Sequence, residues 1–381
     1  MKLSKSIKVL GIALAVAVLA SPSAFAAVAL TGAGATFPGP LIEACKVGYK
    51  NETQNTFTYG LGGSSAGRTA SDKQTSLVNF SDTPHTAARE GVIHAPVIAG
   101  PIAVIYNIGN DKPLYLSPKT VAEIFGGTIT KWNDPKIVAE NNRSIKETIF
   151  KTDGKGVTVK DKAGKPVVLR EVTRKIRYTF PNKPIKVIYR SDGSGTTGNF
   201  TAALRALAPD VWTKEGNNAF TTSFPGNINA VGNLGRIVGQ RESSGVVALA
   251  AKTQYSITYA ESSFAKSAGL AVANIQNPSG NYQAPNSAGV SAFLGAATIS
   301  DKGYVTYDYK TKDAGAYVFG SISYALFDIK QKDAETAKAV KDLLTYFLDP
   351  KCPNSAPELE YTSITGKFRD ANLALIAKIT S

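Results

Sequence analysis

The chain has few of the residues that hold transition metals: two cysteines and two histidines among 381 residues. Cys45 and Cys352 are too far apart in sequence for a CxxC redox or zinc pattern. Neither His85 nor His94 has a cysteine or a second histidine at ligand spacing. The sequence therefore predicts no metal site and no cofactor. An even pair of cysteines is compatible with a disulfide in an oxidising compartment, and the sequence leaves their pairing open.

Long apolar runs are also scarce. The run at the N-terminus, residues 9–20, has twelve residues, whereas a membrane-spanning helix needs about 20. Three lysines precede the run and the small-x-small tripeptide Ala24-Phe25-Ala26 follows it, a pattern typical of a secretory signal peptide. We expect residues 1–26 to be removed and the mature protein to be periplasmic or secreted. No cysteine lies near the cleavage point, so we expect no lipid anchor.

Charged residues make up only 19% of the chain, yet the formal net charge is +14. Such a charge suggests nucleic acid or membrane as a partner until its location is considered. Twelve basic residues against four acidic ones fall within residues 143–183, and the signal peptide holds three more lysines. A run of charge is usually a solvated surface, and residues 157–169 have the pattern of a β-hairpin with a glycine-containing turn. We therefore predict an exposed basic hairpin at about 143–183 and no binding of nucleic acid.

Short apolar strands alternate with amphipathic helices, which indicates an α/β protein. Residues 56–61, 98–106 and 184–189 are predicted strands. Ser117-Pro118 has the pattern of a helix start, with serine as the N-cap and proline at the first helical position. A second helix is predicted over residues 340–348, where apolar side chains recur with helical spacing.

Three segments rich in glycine and hydroxyl residues lead directly into predicted helices. They are Gly32-Ala33-Gly34-Ala35-Thr36-Phe37-Pro38, Gly62-Gly63-Ser64-Ser65-Ala66-Gly67-Arg68 and Arg190-Ser191-Asp192-Gly193-Ser194-Gly195-Thr196-Thr197. Such junctions direct free backbone N–H groups and the positive end of a helix dipole at one point, which suits an anion. None is a Walker loop or a full GxGxxG fingerprint, which argues for capture of an anion and against nucleotide hydrolysis. For any single segment, a turn followed by an N-cap is the simpler interpretation.

Three charged residues extend this interpretation. Arg190 precedes the third segment and offers a two-pronged donor to an oxyanion, and Asp192 is close enough in sequence to hold it. Asp82 lies in a fourth segment, residues 78–84, where it ends an apolar stretch. A carboxylate in an anion site repels any ligand that has no proton to donate. It would therefore favour a protonated oxyanion such as phosphate over sulfate. A turn-forming aspartate before Thr83-Pro84 is the alternative for Asp82.

Together these motifs resemble the PstS family, the phosphate-binding proteins of high-affinity phosphate ABC transporters. The resemblance continues through residues 245–248, 255–261 and 359–364 and so covers nearly all of the mature chain. It implies that phosphate is bound by residues of all four segments: Thr36, Phe37, Ser64, Asp82, Arg190, Ser194, Gly195 and Thr196. It also implies that Asp192 orients Arg190.

The resemblance further implies a two-lobed, type II periplasmic-binding-protein fold with the ligand cleft between the lobes. Domain I would contain residues 27–107 and 320–381, and domain II residues 108–319 with the basic hairpin. Cys45 and Cys352 would then lie in the same lobe, where a disulfide between them is plausible. The implied protein is not an enzyme; it is a monomer that captures inorganic phosphate and delivers it to the transporter's membrane permease.

Departures from the family pattern leave two other functions open. The segment before Asp82 is shorter than usual, and Thr258 stands where the family usually has glycine. The first alternative is a surface adhesion or matrix protein on the same scaffold, with the basic hairpin as its contact element. The second is a serine hydrolase with Ser194 as nucleophile and His85 or His94 as base, which requires a histidine held against the serine.

Overall fold

The computed structural model describes residues 27–109, 113–154, 158–162 and 164–381. The predicted signal peptide, residues 1–26, lies outside the described residues. The first part of the chain contains β1 (Ala29–Gly34), α1 (Gly39–Thr53), β2 (Thr56–Leu61), α2 (Ser64–Asp72), β3 (Asn79–Ser81) and β4 (Val92–Asn107). The last part contains, after the long middle region, β16 (Gly320–Asp328), α10 (Ala334–Phe347), α11 (Lys351–Asn354), a 3-10 turn (Pro357–Leu359) and α12 (Gly366–Ala377).

The middle region carries most of the short elements. In order they are β5 (Tyr115–Leu116), α3 (Pro118–Phe125), α4 (Pro135–Asn141), β6 (Ser144–Phe150), β7 (Val168–Lys175), β8 (Lys186–Arg190), α5 (Gly195–Leu207), α6 (Phe220–Ser223), β9 (Ile237–Gln240), α7 (Ser243–Lys252), β10 (Ser256–Glu261), α8 (Ser262–Ser267), β11 (Ala271–Val272), β12 (Asn274–Gln276), β13 (Tyr282–Gln283), α9 (Ser287–Leu294), β14 (Thr298–Ile299) and β15 (Val305–Thr306). Helices and strands are interspersed along this region, in agreement with the α/β prediction.

Strand β4 joins the two halves of the main sheet, whose order is β2-β1-β3-β16-β4-β10-β8-β9. Its first part, from Val92 to Pro101, pairs antiparallel with β16, and its second part, from Ile102 to Asn107, pairs antiparallel with β10. Fourteen of its sixteen residues are buried, as expected of a strand covered on both faces. The predicted strand 98–106 lies within β4.

On either side of this central strand the sheet is parallel. β1 runs parallel to β2 and β3, and β8 runs parallel to β9 and β10. The loops that follow the carboxyl ends of parallel strands are where ligands bind in open α/β sheets. The Gly62 segment follows β2 and Asp82 follows β3, while the Gly32 and Arg190 segments begin within the last residues of β1 and β8.

Local sequence signals explain several element boundaries. The predicted strand 56–61 is β2, and the predicted helix start is α3, where the Ser117 hydroxyl accepts a hydrogen bond from the Thr120 N–H at 3.2 Å. The predicted apolar helix is the second half of α10, whose first turn is capped by the Asp333 carboxylate. Its buried positions include Val340, Leu343 and Leu344, so helical spacing of apolar residues marks the face that packs on the core.

Cys45 of α1 and Cys352 of α11 form a disulfide with an S–S distance of 2.00 Å. Both residues are buried, so the bond lies inside the packing between the two helices. The bond closes a sequence separation of 307 residues and thereby ties the start of the described chain to its end.

The basic segment forms a ribbon of two antiparallel strands, β6 and β7. The predicted turn lies at its far end, where the Gly164 N–H donates to the Asp161 carbonyl at 3.0 Å and Lys160 pairs with Pro166. At the base, the Arg143 guanidinium lies 3.7 Å from the centre of the Tyr115 ring and 4.6 Å from that of Tyr282. This cation–π contact anchors the ribbon to the body of the protein.

No helix among the described residues is long and apolar enough to cross a membrane.

Candidate anion-binding site

The four segments predicted from sequence converge on one buried cluster, which we call the cage. Its members are Thr36, Ser64, Asp82, Arg190, Gly195, Thr196, Ser243 and Glu261, linked by side-chain contacts or by a backbone N–H contact to Ser64. Asp82, Arg190 and Thr196 are each only 1% exposed. Phe37 and Ser194 flank the cage as sequence neighbours of Thr36 and Gly195. Every predicted site residue is therefore brought to the same place.

Asp82 lies just beyond the end of β3, and three hydroxyl groups surround its carboxylate. Ser323 donates to Oδ1 at 2.8 Å, and the Thr196 and Ser64 hydroxyls lie 3.1 and 3.4 Å from Oδ2. Burial raises the pKa of Asp82 to about 6, although these hydroxyls and the charge of Arg190 oppose the shift. Asp82 is therefore mostly ionised at neutral pH and can accept a proton from a ligand.

Ser64 joins the starts of two helices. Its hydroxyl oxygen accepts the backbone N–H groups of Gly195 at 2.9 Å and Asp82 at 3.1 Å. A Cβ atom at Gly195 would lie 2.5 Å from Ser64 Oγ and 2.8 Å from Asp82 Cβ, so only glycine allows this approach. Gly63, with φ of 87°, is the N-cap of α2, and a Cβ atom at this position would lie 2.5 Å from Asp192 Oδ2. The two helix N-termini are thus directed at the same small volume.

Arg190 supplies a fixed positive charge. Its Nε and Nη2 atoms donate to the Asp192 carboxylate at 2.8 and 2.5 Å in a two-pronged pair that is almost fully buried. Burial lowers the pKa of Arg190, but the hydrogen bonds and charge of Asp192 outweigh this effect and hold the pKa above its usual value. Asp192 also accepts the Glu242 N–H at 3.0 Å. These contacts lock the guanidinium so that Nη1 faces Ser243 at 3.1 Å.

Phe37 contributes through its backbone and its ring. Its carbonyl accepts a hydrogen bond from the Tyr361 hydroxyl, and the two rings pack edge to face with centres 5.7 Å apart. The side chain is fully buried. This packing fixes the chain direction next to Thr36, whose hydroxyl lies 3.0 Å from Ser243 Oγ.

Sequence reasoning missed three residues of this neighbourhood: Ser243, Glu261 and Ser323. Ser243 begins α7 within the run Glu242-Ser243-Ser244-Gly245, which has the same hydroxyl-and-glycine pattern as the predicted segments and was therefore detectable. Glu261 ends β10 within a segment noted only for its family resemblance. Ser323 lies in the middle of β16, where no local pattern marks it.

Glu261 is the second buried carboxyl group of the cage. Its Oε1 atom lies 3.3 Å from Ser243 Oγ and 3.4 Å from Thr196 Oγ1, while its buried Oε2 atom has no hydrogen-bond partner. Burial raises the pKa of Glu261 to about 7 against the opposing effects of its backbone N–H and Arg190. Glu261 is thus poised to change protonation near neutral pH.

The chemistry of the cage follows from its donors and acceptors. Arg190, the cation of the cage, is already paired with Asp192. Backbone N–H groups at helix starts and several hydroxyls therefore provide most of the remaining donors. Two further carboxyl groups can accept protons from a ligand. Among the described residues there is no group of three or more Cys, His, Asp and Glu side chains that could hold a metal ion. The arrangement fits a small oxyanion that carries at least one proton.

The residues of the hydrolase alternative have other contacts. The Ser194 hydroxyl caps α5 by accepting the Thr197 N–H at 3.2 Å. His85 Nε2 lies 2.9 Å from an oxygen of Asp72, and His94 Nε2 accepts the His85 N–H at 3.1 Å. Among the described residues, the His85 ring contacts Asp72, the His94 ring contacts the His85 backbone, and neither ring is hydrogen-bonded to Ser194.

We predict that Asp82 makes the stability of the ligand-free protein depend on pH. The folded-state pKa of Asp82 is about 6, against 3.8 for an ordinary aspartate. As pH rises, the unfolded chain therefore loses this proton at a lower pH than the folded protein does. The protonated group stabilises the fold, and this stabilisation is lost as pH rises between those two values. The unfolding free energy of Asp82→Asn minus that of wild type should therefore rise by about 2 kcal/mol from pH 4 to pH 7.5. Urea unfolding of both proteins at the two pH values measures the difference; an unchanged difference contradicts the assignment.

Comparison with known proteins gives a consistent result. The profile of the PBP superfamily domain matches residues 20–351 of this chain. The phosphate-binding protein PstS of Haemophilus influenzae is 29% identical over 342 residues, which are 88% of each chain. The phosphate-binding protein PstS 3 of Mycobacterium tuberculosis is 32% identical over 255 residues, 65% of this chain and 56% of that protein. The family resemblance indicated by the motifs is confirmed.

Solved structures show the same fold. A periplasmic phosphate-binding protein called PfluDING, crystallised with phosphate, superposes with a TM-score of 0.65 at 20% identity, covering 91% of this chain and 93% of that chain. A phosphate-binding protein from Stenotrophomonas maltophilia gives a TM-score of 0.61 at 16% identity, covering 91% and 94%. The prediction of a two-lobed α/β binding-protein fold is confirmed.

Proposed function

The chain belongs to the PBP superfamily, and from that membership we propose that it binds inorganic phosphate in the cage and delivers it to the permease of an ABC transporter. The observation that carries the proposal is the position of Asp82, a buried carboxyl group among donors that suit an anion. A fully deprotonated anion would meet like charge there, whereas phosphate has a proton to donate near neutral pH.

The roles of the individual residues follow from their contacts. Arg190, held by Asp192, provides the charged contact, and Asp82 accepts a proton of the ligand. Thr36, Ser64 and Thr196 supply hydroxyl groups, while Phe37, Ser194 and Gly195 supply backbone at two helix starts. Because Arg190 is largely offset by Asp192, the site selects by hydrogen bonding and shape more than by net positive charge.

We propose that phosphate enters and leaves by a hinge motion of two lobes. The Ser65 N–H donates to the Gly193 carbonyl at 2.9 Å, and we propose that this hydrogen bond joins the two lobes across the cleft. β4 changes partner from β16 to β10 between Pro101 and Ile102. We therefore propose a lobe boundary there, slightly before residue 107, with the return near residue 320. Phosphate would be fully enclosed when the lobes close.

This function also defines what the protein contacts. We propose that it acts as a monomer outside the cytoplasm, without catalysis, and that its partner is a membrane permease that recognises the closed form. The two relatives named above, from Haemophilus influenzae and Mycobacterium tuberculosis, are phosphate-binding proteins. The similarity to phosphate-binding proteins over most of the chain favours this function over the adhesive alternative.

Calorimetry on the mature protein tests the proposal directly. The protein is unfolded in denaturant, dialysed to remove bound anions and refolded before titration at pH 7.5. One phosphate per chain should bind, and sulfate should give no detectable heat, because it cannot donate a proton to Asp82. A refolded wild-type protein that binds no phosphate would overturn the proposal.

A further inference from the structure

Glu261 is a buried carboxyl group of the cage that does not take part in phosphate capture by Arg190 and Asp82. It is 1% exposed, and its Oε1 atom lies within 3.4 Å of both the Ser243 and the Thr196 hydroxyls. Each of these hydroxyls also touches a principal ligand-binding group: Ser243 Oγ is 3.1 Å from Arg190 Nη1, and Thr196 Oγ1 is 3.1 Å from Asp82 Oδ2. Glu261 therefore stands behind two hydroxyls that border the site.

The protonation of Glu261 sets the direction in which those hydroxyls point. A hydroxyl has a single proton, which it donates to one acceptor at a time. Ionised Glu261 draws the Ser243 proton toward itself and leaves that oxygen as an acceptor for a ligand O–H group, while it competes with the closer Asp82 carboxylate for the Thr196 proton. Neutral Glu261 has a proton of its own to donate, so the Ser243 proton becomes available to a ligand oxygen.

We propose that Glu261 is a positioning residue that takes up one proton when phosphate binds and shares it with the ligand, chiefly through Ser243. This inference rests on the proposed function. The two bound forms, monohydrogen phosphate with neutral Glu261 and dihydrogen phosphate with ionised Glu261, contain the same number of protons. In both forms, Asp82 accepts the first ligand proton.

Three titratable groups of the described residues interact electrostatically with Glu261. They are Arg190 from β8, Asp82 after β3, and Tyr361 from the segment before α12. Arg190 stays charged because its pKa lies above the usual value, and burial holds the pKa of Tyr361 well above 10. Burial raises the pKa of Asp82 only to about 6. Glu261 and phosphate are therefore the groups of the cage whose protons are exchanged above pH 7.

The proton count of binding distinguishes this arrangement from a merely structural glutamate. At pH 8.5 the free phosphate has one proton and free Glu261 has none, whereas the complex contains one proton more. Wild type should therefore take up about one proton per phosphate bound at pH 8.5, and its affinity should fall roughly fivefold between pH 7.5 and pH 8.5.

Glu261→Gln removes the exchange but keeps a neutral group of the same shape. This variant should take up close to zero protons at pH 8.5, and its affinity should change less than about twofold over the same interval. The uptake is measured by calorimetric titration of phosphate in two buffers that differ in ionisation enthalpy. Glu123→Gln is the matched control, since Glu123 is a buried carboxyl group of α3 paired with Lys136; it should behave as wild type.

The outcomes separate this inference from the function on which it rests. A wild-type protein that binds no phosphate overturns the proposed function itself. Phosphate binding by wild type without proton uptake at pH 8.5 overturns the role of Glu261, and this measurement needs no variant. Uptake that persists in a folded Glu261→Gln protein overturns it as well.

Discussion

Replacement of Arg190 by alanine is expected to weaken phosphate binding by about three orders of magnitude. The substitution removes the fixed cation of the cage and leaves Asp192 buried without its partner, while Asp82 and Glu261 remain as neighbouring carboxyl groups. Truncating one partner of a buried, hydrogen-bonded charge pair between protein and ligand costs about 2–5 kcal/mol, and each 1.4 kcal/mol is tenfold in affinity. Calorimetry at pH 7.5 measures the loss; a dissociation constant within tenfold of wild type would contradict the assigned role.

Two variants separate the lost contact from the unpaired carboxylate. Arg190→Ala combined with Asp192→Asn removes the buried unpaired charge, so it should recover stability in urea unfolding without recovering phosphate binding. Arg236→Ala is the matched control because Arg236 is also a buried arginine, held by Asn233 and the Gly232 carbonyl at the start of β9. It should bind phosphate as wild type does.

The parts of the site that sequence reasoning found are those with a local signal. Glycine and hydroxyl residues before a helix mark the segments of Ser64 and Gly195 because backbone geometry and capping demand those residue types locally. Asp82 was detectable for a similar reason, as a carboxylate directly after an apolar stretch. Ser243 had the same signal as these segments and was nevertheless overlooked.

Contacts between residues that are far apart in sequence could not be predicted without the strand order of the sheet. Glu261 reaches Thr196, and Ser323 reaches Asp82, only because β10 lies beside β8 and β16 beside β3. Neither pairing order is encoded in the immediate neighbourhood of these residues. The disulfide between Cys45 and Cys352 depends on tertiary contact in the same way, since the packing of α1 against α11 brings the two sulfurs together.

The basic ribbon shows a different limit. Its turn was predictable because the polar sequence between the two strands contains Gly164. In the structure this glycine has a positive φ of 78°, a conformation that favours glycine. The long strands β6 and β7 were not predicted, because charged side chains hide the alternation of apolar and polar residues on which strand prediction depends. A strand with charged residues along both faces gives no periodic signal even where the backbone pairs over seven residues.

Asp82→Asn is expected to reduce the preference for phosphate over sulfate by two to three orders of magnitude, because the substitution acts on both ligands in opposite directions. Phosphate loses a hydrogen bond to a charged acceptor, worth about 1.5–3 kcal/mol. Sulfate, which has no proton at neutral pH, is relieved of like-charge repulsion in a buried site and gains an amide donor. The nearby hydroxyls of Ser323 and Thr196 can accept from that amide as readily as they donate to the carboxylate.

The effect on each anion is measured separately by titrating refolded Asp82→Asn with phosphate and with sulfate at pH 7.5, where wild-type Asp82 is ionised. Sulfate binding should appear in the variant, and phosphate binding should weaken. If the aspartate served only to form the turn before Thr83-Pro84, both anions would change together and their ratio would stay at the wild-type value. A change in the ratio therefore identifies Asp82 as the group that recognises the ligand's proton, and a constant ratio would transfer that role to Glu261, the other buried carboxyl group of the cage.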